Sequence, residues 1–149
     1  MVIGSFEFAL SIVEVPPQHE SILMQRAALA LAAFASLLGS CGVLLAAAGA
    51  HVGGNELART ASLFLIMHGA ALLGVAACVR ALAPDRALAG VGFALGIGAL
   101  LFGADLASRA FLGGRLFPLA APISGSLMIL SWLALGVVFA NAATRAPRS

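Results

Sequence analysis

Four long apolar runs separated by short polar breaks set the pattern of this chain. Apolar residues continue almost without interruption over about 27–50, 60–82, 87–104 and 119–142, each close to the roughly 20 residues that a helix needs to cross a bilayer's hydrocarbon. The breaks carry stop and start signals. Gly53-Gly54 closes the first run, and Asn55 and Glu56 suit the start of the next helix as cap and first-turn acid. Pro84 separates the second and third runs, with Asp85 placed to cap the third. Asp105, Ser108, Arg109, Gly113-Gly114 and Arg115 form the longest break, and Pro122 fits the first turn of the fourth helix, where it sacrifices no intrahelical bond.

The pattern predicts an all-α fold: a four-helix transmembrane bundle over 24–149 with antiparallel up-down neighbours and short loops. Gly92-x-x-x-Gly96 predicts close packing of the third helix, because small residues supply contact in lipid where no hydrophobic drive pairs helices. Residues 1–23 form a separate N-terminal extension. Phe6, Leu10 and Val13 oppose Glu7, Ser11 and Glu14 up to Pro16-Pro17, which fits either a short amphipathic helix or an extended arm.

Composition removes the soluble alternatives. With 62% hydrophobic and 9% charged residues and a mean hydropathy of +1.08, there is too little polar surface to coat a water-soluble globule. Four spans use up the 149 residues, leaving no separate soluble catalytic domain. All eight basic residues are arginines at the ends of apolar runs, a headgroup-anchoring pattern and not a nucleic-acid footprint. Arg26, Arg80, Arg86, Arg145 and Arg148 fall on one side, and Arg59, Arg109 and Arg115 on the other. The positive-inside rule then favours both termini in the cytoplasm, with a bacterial inner membrane as the expected location.

Candidate chemistry centres on His68, the ionisable side chain within Leu63–Gly74. It sits near the midplane, where such groups are expensive and are functional candidates. Matching depths along antiparallel helices puts Ser36, Ser40, Cys41 and Ser131 near its level, with Gly96 leaving room beside it. His68, Ser36, Ser40 and Ser131 are therefore candidates for a structural polar network, whose interhelical hydrogen bonds are worth about 0.6 kcal/mol each. A proton, metal or cofactor role for His68 is the alternative. Trp132 also lies near mid-span, and its indole N–H needs a partner. At the helix ends, His51 is expected to hydrogen-bond terminal carbonyls, and Asp105 and Arg109, spaced i, i+4, to form an exposed pair.

Other chemistry lacks its parts. His51 and His68 differ in depth by roughly 12 Å, which argues against an intrachain bis-histidine haem. Cys41 and Cys78 differ by roughly 14 Å, too far to bridge. There is no metal-ligand spacing, P-loop or nucleophile elbow, and no carboxylate near the centre to orient His68 as a base. The expectation is no catalytic residue, no metal and no cofactor.

Several short pieces follow one another in a telling order: Ala47-Ala48-Gly49-Ala50-His51, Met67-His68-Gly69-Ala70-Ala71-Leu72-Leu73, Leu101-Phe102-Gly103, and Ala121-Pro122-Ile123-Ser124-Gly125 with Ser131-Trp132. Over about 24–142 their spacing resembles the small four-span membrane proteins grouped as domain of unknown function 423, which have mitochondrial relatives in animals. The chain departs from that pattern at Asp105 and Ala107, where the family is richer in serine and an aromatic residue, and at Ser124 and Ser131, where glycine is usual. The resemblance implies a fold and a membrane, and no established activity. The expected function is that of a non-enzymatic integral membrane protein, an accessory, structural or assembly subunit of a larger membrane protein complex. Its expected partners are the lipid bilayer and other integral membrane proteins, with a homo-oligomer left open and no nucleic acid. The alternatives are a small oligomeric proton-linked transporter or channel using His68, and a quinone- or lipid-binding module.

Overall fold

A computed structural model describes residues 18–51, 56–82 and 86–145. The arm up to Pro17, the breaks at Gly53, Gly54, Asn55, Pro84 and Asp85, and Arg148 lie outside the described residues. Four helices account for nearly all of the rest: α1 (Gln18–His51), α2 (Glu56–Ala81), α3 (Arg86–Phe111) and α4 (Ala120–Arg145). All four are long and apolar enough to cross a membrane. Their 26 residues give α2, α3 and α4 a length of about 39 Å, and the 34 of α1 give it about 51 Å. Each exceeds the roughly 30 Å of hydrocarbon, so the polar helix ends reach the headgroups.

Two helices start or stop differently from the apolar runs. α1 begins at Gln18, so residues 18–23 of the expected extension belong to the first span's helix and not to a separate arm. α3 continues past Ala104 to Phe111, because no proline or glycine interrupts Asp105–Phe111. Those two extra turns carry Asp105 inside the helix. They also change its surroundings, as described below.

α2 and α3 form the centre of the bundle, with ten buried residues each against six on α1 and five on α4. α1 lies against both central helices. Among the described residues, the backbone of α4 comes close only to α3. The core is a stack of aliphatic side chains, with Leu31, Leu38, Leu72, Leu88, Leu95 and Leu135 almost fully enclosed. At one end, the Arg86 guanidinium of α3 donates to Glu20 Oε1 of α1 at 2.9 Å. This bond fixes that the N-terminal ends of α1 and α3 share a side of the bundle.

In lipid, close approach of backbones replaces the hydrophobic drive. The tightest approach joins α1 to α2: a Cβ added at Gly69 would lie 2.9 Å from the Ala35 carbonyl oxygen and 3.0 Å from the Gly39 nitrogen. Gly92 and Gly96 of α3 do a different job. They receive side chains, Leu31 and Val75 at Gly92, Phe34 and Leu72 at Gly96.

Candidate functional site

His68 projects from the inner face of α2 and is buried. Its face is defined by Ala61, Leu65, Leu72, Val75 and Val79, which recur at helical spacing and are buried with it. Phe64, one turn earlier, stacks on the imidazole with ring centroids 5.7 Å apart. Phe64 is itself in ring contact with Phe102 of α3 at 4.8 Å. The Trp132 ring of α4 is tilted against the imidazole, with centroids 6.2 Å apart.

Both ring nitrogens have partners. Nδ1 lies 2.8 Å from the Phe64 carbonyl oxygen, and the Trp132 indole N–H donates to Nε2 at 3.4 Å. A carbonyl oxygen only accepts and an indole N–H only donates, so the two partners select one neutral tautomer, with the proton on Nδ1 and the lone pair on Nε2. At 3.4 Å the bond to Trp132 is long and therefore weak. It is nevertheless a polar bridge between helices whose backbones do not come close.

Ser36 and Ser40 are not members of this network. Both are exposed on the outer face of α1, where their hydroxyls donate back to the Ala32 and Ser36 carbonyl oxygens, each at 2.9 Å. Depth matching set their height correctly but not their angle. Leu31, Ala35, Leu38 and Gly42 face the bundle, and a residue one position after Ala35 is turned about 100° away. Ser131 is buried on α4 next to Trp132, while Cys41 and Cys78 are partly buried free thiols. Sequence reasoning put His68 and Trp132 in need of partners and missed that each supplies the other. The available signal was complementarity: a mid-membrane acceptor and a mid-membrane donor-only group.

His51 is the exposed last residue of α1. Asp105 overturns the expected exposed pair. It is 1% exposed, because α3 continues past it and the α3–α4 connection folds over it. Its Oδ1 accepts the Leu116 backbone N–H at 2.9 Å. Oδ2 is buried without a hydrogen-bond partner, and Arg109 Nη1 stands 3.9 Å from it, its side chain about a third exposed. Nearby, Ser108 Oγ donates to the Gly114 carbonyl oxygen at 2.9 Å, and Gly113 takes a left-handed φ of 74°, the turn that ends α3. This cluster is a loop clasp. No group of three or more metal-ligating side chains converges among the described residues.

Four membrane-length helices with a polar bridge inside and a clasped loop at one end define a small four-span integral membrane protein. Residues 45–125, more than half of the chain, match the family described as "Protein of unknown function (DUF423)", and the chain belongs to that family. The match takes in His51, His68, Asp105 and Arg109 and ends before Ser131 and Trp132. No curated protein and no solved structure matches the chain.

Proposed function

We propose that the chain is a non-enzymatic integral membrane protein, an accessory, structural or assembly subunit of a larger membrane protein complex. The observation that carries this reading is the engagement of His68: both its ring nitrogens are taken up by Phe64 and Trp132. A group held in one neutral tautomer by an acceptor and a donor is suited to setting how α2, α3 and α4 pack, and poorly suited to passing protons. The lipid-facing sides of the flanking helices supply docking surface, with Leu37 and Leu44 exposed on α1 and Ile129, Leu130 and Leu133 on α4. The partners in this reading are other integral membrane proteins, with a second copy of the chain as one of them. Arg26, Arg80, Arg86 and Arg145 at one end of the bundle favour cytoplasmic termini in a bacterial inner membrane.

The test is photo-crosslinking in the native membrane from positions 37 and 130, followed by mild-detergent purification and mass spectrometry of the adducts. The reading expects the same one or few membrane proteins in repeated preparations. A chain that crosslinks lipid alone and purifies as a lone monomer refutes it. Proton flux into liposomes that is lost in His68→Ala would support the transporter alternative instead.

A further inference from the structure

Between α1 and α2, at the end of the bundle opposite Gln18 and Arg145, runs a groove of about 370 Å³. Small residues open it on one side, Ala46, Gly49 and Ala50 of α1 beside Leu45, and Ser62, Leu63 and Ile66 of α2 line the other. It stops inward where Gly42 nests against Ile66, a Cβ there being 2.6 Å from the Ile66 side chain. From Arg59 to Ile66 the groove follows α2 for seven residues, about 10 Å of rise. Among the described residues its wall is apolar except for Ser62 and, at the mouth, Arg59.

Arg59 does not stand there alone. Its Nε and Nη2 donate to the two carboxylate oxygens of Glu56 at 3.0 and 2.6 Å, and both side chains are about two-thirds exposed. Among the described residues, two of the five guanidinium donors are used, and each carboxylate oxygen keeps a further lone-pair direction. The mouth of this groove therefore presents a positive and a negative group side by side at the first turn of a membrane helix. A headgroup carrying only a phosphate would face the Glu56 charge, whereas a headgroup carrying a phosphate and a primary ammonium complements both.

We propose that the α1–α2 groove is a binding site for a phospholipid of the surrounding bilayer with a phosphoethanolamine headgroup. One acyl chain lies along Ala46, Leu63 and Ile66, the phosphate takes the remaining Arg59 donors, and the ammonium donates to Glu56. Phosphatidylcholine is the discriminating analogue, because its quaternary ammonium has the same charge and no N–H to donate. The site uses neither His68 nor the outer face of α4, and on α1 it adjoins Leu44 without including Leu37 or Leu44.

The full-length protein, stripped of lipid in a non-ionic detergent, is titrated with an equimolar mixture of phosphatidylethanolamine, phosphatidylcholine and phosphatidylglycerol of identical acyl chains, and adducts are counted by native mass spectrometry. The first bound lipid is phosphatidylethanolamine by about threefold over either competitor, the size of one exposed charge-assisted contact. Glu56→Ala, which removes the acceptor, brings the ethanolamine-to-choline ratio to one, Arg59→Ala lowers all three, and Ala46→Leu with Ala50→Leu fills the groove and lowers occupancy with both charges intact. Equal binding of the three lipids, a preference for phosphatidylglycerol, or variants that bind like the native chain would each overturn the site, as would a dimer that excludes lipid. Should the groove-filling variant lose helical circular dichroism, Glu56→Ala, a truncation at an exposed position, decides alone.

Discussion

Asp105 is where a single atom exchange separates two kinds of stabilisation. Its Oδ1 satisfies the Leu116 N–H at 2.9 Å, whereas Oδ2 makes no hydrogen bond and faces Arg109 at 3.9 Å. Asp105→Ala leaves the Leu116 N–H without its acceptor, which costs about 1–3 kcal/mol. It also forfeits the attraction to Arg109, about 0.2–1 kcal/mol for a pair whose arginine is partly in solvent. The expected total is about 1–4 kcal/mol. Asp105→Asn keeps the acceptor at Oδ1 and exchanges only the unbonded oxygen, so it should lose no more than the ionic part, about 1 kcal/mol at most. Unfolding of the full-length protein in mixed detergent micelles, followed by far-ultraviolet circular dichroism, measures both variants. If Asp105→Asn proves as costly as Asp105→Ala, the charge holds the loop and the hydrogen bond does not, and the clasp as described is wrong.

The bridge between α2 and α4 can be isolated by a double-mutant cycle of His68→Phe and Trp132→Phe in the same unfolding assay. The expected coupling is about 0.6 kcal/mol, the usual size of an interhelical hydrogen bond in membranes, and a coupling indistinguishable from zero removes the bridge. Two glycines should respond oppositely to alanine. At Gly98 a Cβ would sit 2.9 Å from Met128 Cγ and 3.2 Å from both the Met128 nitrogen and the Ser124 carbonyl oxygen, so Gly98→Ala should cost about 1–3 kcal/mol by prying α3 from α4. At Gly136 a Cβ meets nothing within 4 Å, so Gly136→Ala should be neutral or gain up to about 1 kcal/mol of helix propensity. Equal effects at the two positions would refute the packing of α4 on α3.

The number of helices, their membrane character and their up-down order were legible in the chain, because each rests on local quantities: the length of an apolar run and the glycines, prolines and arginines at its ends. The need of His68 and Trp132 for partners was legible for the same reason, since burying a polar group in hydrocarbon is costly wherever its partner lies. Which groups met was decided by rotation about the helix axis. A serine at the right depth on α1 faces lipid, as Ser36 and Ser40 do, and one 100° turn of angle is invisible to a count of residues along the helix. Asp105 shows the second limit. An acid near the end of an apolar run reads as solvated, and only the continuation of α3 to Phe111 and the return of Leu116 over it turn that acid into a buried acceptor. Local composition thus sets what crosses the membrane, while helix rotation and loop closure, which depend on contacts between distant residues, set what the crossing helices share.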